Sequence, residues 1–306
     1  MAVSVRPPPP NPDPGGWNRM AVSLGSGDPP VGVLRLTGGL ECETYSFRLA
    51  LRLGARHLVV KVFTSNGSRA STEFENLSMV SAAGVPSPVP VHFDANGDWF
   101  GVPAIVMSAL PGRPDLHATD VERWVGGAAT GLAAIHGVDP GMARVVRVPR
   151  WRRWRPSLDG LGDRAAAVEV VLARLHERVD AYPTVFSHDD YNPGNVLFHD
   201  GDLSGVVDWA DVTVEPAQAA VAQYRHLLAI HPGGAAPEQF LAAYLARTGR
   251  SLADLSLWDV LYGLRGLPAV EHWVRAFDGL GVTVTVSDIN TRSRDWIRRS
   301  VHRSMG

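Results

Sequence analysis

Phe186–Asp208 reads FSHDDYNPGNVLFHDGDLSGVVD. It holds an H-x-D (His188, Asp190), an Asn five residues after that Asp (Asn195), and a second Asp (Asp208) closing the next apolar run. Phosphoryl-transfer chemistry uses that set: one carboxylate for the attacking hydroxyl, and an Asn and an Asp to hold magnesium. Val196–Phe198 and Val206–Val207 read as two strands around Asp200-Gly201, a dipeptide suited to a tight hairpin because both turn positions take positive φ. Such a turn folds Asp208 back beside Asn195. Their backbones then lie roughly 7 Å apart at about 3.4 Å per residue, within reach of one hard cation bound through oxygens. Asp200 and Asp202 read as turn formers, and Asp190 falls in a Pro-Gly loop ahead of the hairpin.

The remaining composition narrows the class. The chain has 306 residues, 45% hydrophobic and 20% charged, with a net charge of −2. That is the balance of a globular protein with a sizeable core, and no global field draws it to nucleic acid or membrane. Cys42 is the single cysteine, which excludes an internal disulfide and fits a reducing compartment. No apolar run reaches the ~18 residues of a membrane span, and the first residues lack the apolar stretch of a signal peptide. A cytoplasmic location is expected. Residues 1–19 read as a Pro-rich disordered tail.

Upstream, Thr44–Leu53 alternates apolar and polar residues with period two, which predicts a half-buried strand. Leu58–Phe63 is expected to return beside it, and Val33–Leu36 to precede it. Ser71–Ala83 is predicted as a helix ending near Gly84. Val91–Phe93 and Trp99–Met107 are expected as a hairpin around Asn96-Gly97. Residues 20–110 therefore read as a small antiparallel sheet with one helix, residues 111–116 as a linker, and residues 117–306 as mostly helical. Helices are expected from Asp120 to His136, from about Gly162 to Val179, and over Pro216–Ile230, Pro237–Arg247, Leu257–Leu264 and Asp288–Arg303. The fold class is α+β, with a ligand cleft expected between the lobes.

These motifs resemble the aminoglycoside phosphotransferase family of small-molecule kinases, which has a protein-kinase-like, bilobal fold. The match is tightest over SHDDYNPGNVLF, LSGVVDW and AVAQYRHLLA, and looser but in order over LTGGLECETYSFRL, LVVKVF, EFENL, AAGVPSPVPV and VMSALPG. The resemblance implies an ATP-dependent phosphotransferase with Mg2+. Its acceptor would be a small molecule with a hydroxyl: an antibiotic such as an aminoglycoside, or a sugar or amino alcohol unrelated to resistance. By the same resemblance, Lys61 contacts the ATP phosphates, and Glu73, or else Glu75, holds Lys61. Gly38-Gly39 stands at the phosphate-covering turn, and Met107, Ser108, Ala109 and Leu110 line the adenine pocket. Asp190 is the catalytic residue, Asn195 and Asp208 are the metal ligands, and His188 is a structural support for the loop.

Three features depart from the pattern. Asp189 stands where the family usually has Gly, Ala219-Ala220 where it often has Asp, and the glycine turn lacks G-x-G-x-x-G. They motivate a rival reading, a catalytically silent kinase-like binding protein. Arg144, Arg147, Arg150, Arg152, Arg153 and Arg155, with Trp151 and Trp154, form a basic aromatic run. Such a run suits phosphate, single-stranded nucleic acid or part of the acceptor site, but at this net charge a solvated loop or an acidic-partner contact is the expected reading, and nucleic acid is not the expected partner. Asp211, Glu215, Asp259 and Glu271 are the candidates for binding acceptor amines. The sequence is silent on oligomeric state and on ATP versus GTP.

Overall fold

The computed structural model describes residues 14–36, 42–63, 67–142 and 147–305. Gly38-Gly39, Arg144 and residues 1–13 of the expected tail lie outside them. The chain forms two compact units. One holds the described residues up to Ser81 together with Pro88–Ala109, and the other holds Ala82–Ser87 and Leu110 onward.

The first unit is a five-stranded antiparallel sheet. Its elements are α1 (Pro14–Ser23), β1 (Val31–Leu36), β2 (Cys42–Leu51), β3 (Gly54–Phe63), α2 (Gly67–Ala82), β4 (Pro90–Asp94) and β5 (Ala104–Ser108), and the strand order is β1-β2-β3-β5-β4. The period-two reading of β2 holds: Tyr45, Phe47 and Leu49 are buried and the residues between them are more open. They pack with Leu58, Val60 and Val106 in the core of this unit. The expected hairpin after β4 is wider than its Asn96-Gly97 signal implies. The Asp94 carboxylate accepts the N–H groups of Gly97, Asp98 and Trp99 at 2.9–3.0 Å. That gathers a loop, so β5 begins at Ala104 rather than Trp99.

The tail expectation fails over its last part. Residues 14–19 open α1, whose Trp17 and Met20 enter the sheet core. Trp17 meets Tyr45, Phe47 and Phe100 edge to face at 5.3–5.7 Å between ring centroids. Gly16 permits the approach, since a Cβ there would lie 2.7 Å from both the Phe100 ring and the Trp99 carbonyl. Proline richness pointed to disorder, but Pro14 suits a first helical turn and Trp17 supplies the burial that holds the helix.

The second unit is built from α3 (Val121–His136), α4 (Arg150–Arg153), α5 (Ala165–Arg178), β6 (Thr184–Ser187), β7 (Val196–His199), β8 (Asp202–Val206), β9 (Thr213–Pro216), α6 (Ala217–Ile230), α7 (Ala236–Thr248), α8 (Leu255–Gly266), α9 (Val270–Gly279) and α10 (Val286–Met305). Asp120 caps α3, its side chain accepting the Arg123 N–H at 3.0 Å. Every residue of α6 is buried, and Ala219 and Ala222 belong to a core with Val168, Val171, Trp258 and Leu264. Small side chains at Ala219-Ala220 therefore serve close helix packing. The pairing of β6 with β9 and the amphipathic α9 were not expected from the sequence. Trp17→Ala should destabilise the protein by about 3 kcal/mol in urea unfolding. A loss below about 0.5 kcal/mol, the surface range, would show α1 to be an ornament rather than core.

Candidate active site

The loop between β6 and β7 is pinned from three directions. His188 is fully buried and its Nε2–H donates to the Val207 carbonyl at 2.9 Å. Its ring lies 4.7 Å from that of Trp209. Burial lowers the His188 pKa, against the opposing charges of Asp190 and Asp208, so the ring stays neutral and acts as a hydrogen-bonding post. Tyr191 donates from its hydroxyl to the Ala128 carbonyl on α3 at 2.6 Å. Asn192 accepts the Gly194 N–H at 2.9 Å and starts the short turn Pro193–Asn195.

The hairpin turn forms as its sequence predicts: Asp200 and Gly201 have φ of 51° and 84°. Val196 pairs with Val206, and the Val207 N–H reaches the Asn195 carbonyl at 3.0 Å. Asn195 and Asp208 therefore leave the ladder at the same end. The Asn195 Nδ2 donates to the Asp190 carbonyl at 3.0 Å, so its Oδ1, the atom a hard cation takes, has no donor among the described residues. Asp208 is left-handed at φ 70° and partly exposed. Among the described residues no cluster of three or more His, Cys, Asp or Glu could hold a metal ion. Two oxygen ligands fit magnesium, which keeps waters and takes the rest of its shell from phosphate oxygens.

Asp189 and Asp190 share one partner. The Arg150 guanidinium lies 2.8 Å from Asp190 Oδ1 and 2.6 Å from Asp211 Oδ2, and the Arg150 N–H donates to Asp189 Oδ1 at 3.1 Å. Burial pulls the Arg150 pKa down, but Asp190, Asp211 and Asp189 together raise it above the ordinary arginine value. Asp189 is buried, with its pKa raised by desolvation to about 6 against the pull of Arg150. Glu215 is buried on β9 and accepts from Ser187 Oγ at 2.7 Å and Trp151 Nε1 at 3.0 Å. Desolvation first, then the charge of Asp189, lifts it to about 8.

The basic aromatic run is thus a docking segment. Arg147 reaches Asp211 at 3.0 Å, Trp151 packs edge to face on Trp258 at 4.9 Å, and Arg152 pairs with Asp180 at 2.6 Å. Three of the four acids considered for acceptor amines are likewise spoken for. Asp211 and Glu215 are bonded as above, and buried Asp259 pairs with Arg225 at 2.7 Å and Arg303 at 3.2 Å. Glu271 alone of the four is exposed, on α9. The role of Arg150 was missed because its three carboxylates come from two distant stretches, and only the run's arginine density marked it.

In the first unit, Lys61 stands on β3 between β2 and β5, opposite Thr44 and Ile105. Its Nζ meets Glu73 Oε1 of α2 at 2.5 Å, with both residues buried. Glu75, the alternative partner, instead accepts from Ser71 at 3.1 Å. Met107 and Ser108 end β5, the Ser108 and Ala109 N–H groups bonding to the Val89 and His57 carbonyls. Leu110 begins the second unit.

An α+β chain with a buried Lys–Glu pair on a five-stranded sheet, and an H-x-D loop bonded to an Asn–Asp hairpin, has the parts of a kinase-like small-molecule phosphotransferase. The sequence model of the Phosphotransferase enzyme family matches residues 35–259, and the chain belongs to that family. Solved structures show the same fold. A Ralstonia eutropha JMP134 protein ascribed to the aminoglycoside phosphotransferases matches with a TM-score of 0.62 at 15% identity, over 96% of this chain and 99% of that one. A thermostable mutant of aminoglycoside phosphotransferase APH(4)-Ia, solved with AMP-PNP and hygromycin B, matches at 0.61 and 18%, over 92% and 97%. Spectinomycin phosphotransferase APH(9)-Ia, solved with ADP and spectinomycin, matches at 0.56 and 14%, over 94% and 96%.

Glu215 makes a pH prediction. Its folded pKa lies above its unfolded one, so folding takes up a proton. The stability it contributes is full below the usual carboxyl range and is lost as pH rises through about 8. The unfolding free energy from urea titrations should fall over that window by up to about 1.4 kcal/mol per pH unit, and Glu215→Gln should flatten the slope. An unchanged slope in that variant would assign the pH dependence elsewhere.

Proposed function

We propose that this chain transfers the γ-phosphate of ATP to a hydroxyl of a small molecule. The carrying observation is the Asn195 amide bonded to the Asp190 carbonyl. It turns a metal-ligating oxygen one way while fixing the backbone of the carboxylate that receives the acceptor. Asp190 orients the acceptor hydroxyl and takes its proton as the oxygen attacks the γ-phosphorus, and the bond to the β–γ bridging oxygen breaks to release ADP. Asn195 and Asp208 hold magnesium, which offsets charge on the phosphates when bound. Lys61, fixed by Glu73, contacts the phosphates, and the backbone of Met107–Leu110 reads the adenine. Residues 20–110, with the start of α1 packed into their core, are the nucleotide-binding part, 111–116 a linker, and 117–306 the catalytic and acceptor-binding part. The AMP-PNP and ADP bound by two of the solved structures support this reading.

The acceptor is a hydroxyl-bearing small molecule, with antibiotics the first class to screen. Internal pairing of Asp211 and Asp259 and burial of Glu215 favour recognition through hydroxyls over recognition of a polycation. No helix among the described residues is long and apolar enough to cross a membrane, and a cytoplasmic site supplied with ATP and magnesium suits the activity.

Asp190→Ala should lower phosphate transfer by at least about a hundredfold while the affinity for an ATP analogue stays within about twofold. The panel to use is aminoglycosides, macrolides, peptide antibiotics, sugars and amino alcohols. Unchanged turnover in that variant would overturn the mechanism. Absence of any magnesium-dependent ATP turnover in the unmodified protein would favour the silent binding protein.

A further inference from the structure

Among the described residues, Arg150 is the one that joins the expected catalytic carboxylate to the rest of the second unit through its side chain. Its guanidinium lies 2.8 Å from Asp190 Oδ1. Among the described residues nothing else pairs with the Asp190 side chain, which is about one-quarter exposed. The guanidinium is itself fixed, its other terminal nitrogen donating to Asp211 at 2.6 Å. Asp211 is in turn held by Arg147 at 3.0 Å.

The segment that carries Arg150 is equally fixed. The Arg147 N–H bonds to the Val212 carbonyl at 3.2 Å, and Thr213 Oγ1 donates to the Arg147 carbonyl at 2.7 Å. Trp151 is tied to Glu215 and packed on Trp258. Asp189 completes the docking by accepting the Arg150 N–H at 3.1 Å. This accounts for an acid beside the catalytic Asp. Asp189 sits at φ 57°, a backbone state usually left to glycine; its carboxylate anchors the arginine segment through the Arg150 N–H and lies 3.9 Å from the Arg150 Nε, farther than Asp190 at 2.8 Å.

We infer that Arg150 is the positioning residue of Asp190. It occupies one carboxylate oxygen and fixes the rotamer, so that the second oxygen is presented to the acceptor hydroxyl. The inference rests on the phosphotransferase reading. A planar guanidinium held by two carboxylates is pre-organised for this in a way that an ammonium is not. A carboxylate released from it would sample several rotamers, and a misplacement of about 1 Å can cost about a hundredfold in rate.

The test uses the full chain and magnesium-dependent ADP production from ATP with water as acceptor, so that no acceptor need be known. Arg150→Ala should lower kcat about a hundredfold and leave KM for MgATP within about threefold. Guanidinium ion at tens of millimolar should restore part of the rate, whereas sodium chloride at equal concentration should not. Arg150→Lys, which keeps the charge, should be intermediate. Wild-type kcat in Arg150→Ala, or a loss that appears only in KM, would overturn the inference. So would a rate loss in both variants that follows a lowered melting temperature and is not recovered by guanidinium. Equal turnover in the unmodified protein and Asp190→Ala would instead overturn the phosphotransferase reading beneath it.

Discussion

The hydrogen bond from the Val207 N–H to the Asn195 carbonyl is the constraint on which the candidate site depends. It exists because Asp200 and Gly201 accept positive φ and turn β8 back on β7, whose pairing shifts register between Leu197 and Phe198 and restores Val196 opposite Val206. With that bond made, Asn195 and Asp208 emerge at one end of the hairpin. His188 uses the same residue, bonding to the Val207 carbonyl, and so couples the loop bearing Asp190 to the hairpin bearing Asn195 and Asp208. The loop is further tied to α3 through Tyr191. Three chemical side chains are thereby related through backbone bonds, which are stiffer than contacts between side chains alone.

Charge in the second unit is organised inward. Asp211 is shared by Arg147 and Arg150, and Asp259 by Arg225 and Arg303. Buried pairs of this kind contribute little net stability, but removing one partner leaves an uncompensated charge. Their value lies in orientation. Glu215, which accepts hydrogen bonds from Ser187 and Trp151, takes the other course, its burial favouring the protonated form. A sequence rich in Arg and Asp around this site thus describes a rigid carrier more than a surface for polycations. The same holds for Lys61 in the first unit, whose ammonium is fixed by buried Glu73.

The parts legible in the sequence were those with short-range causes. The Asp200-Gly201 turn, the alternation of β2 and the cap of α3 at Asp120 are each decided within a few residues, and each formed as read. Glu73 rather than Glu75 meets Lys61, the partner that the family resemblance implied. The misreadings have long-range causes. α1 looked like a tail because proline dominates its approach, while its Trp17 is buried by rings contributed from Tyr45, Phe47 and Phe100. β5 started late because the Asp94 carboxylate gathers three N–H groups. The acidic contacts of the Arg/Trp run could not be assigned to particular residues from the sequence because its partners, Asp189, Asp190 and Asp211, are distant in it.

The central claim is that Asn195 and Asp208 form a magnesium site serving a bound nucleotide. Its most direct test is the magnesium dependence of AMP-PNP binding, measured by calorimetric titration in the unmodified protein and in Asp208→Ala. The account predicts that magnesium tightens binding at least about tenfold, about 1.4 kcal/mol, in the unmodified protein and not in the variant. Equal magnesium dependence in the two proteins would contradict it.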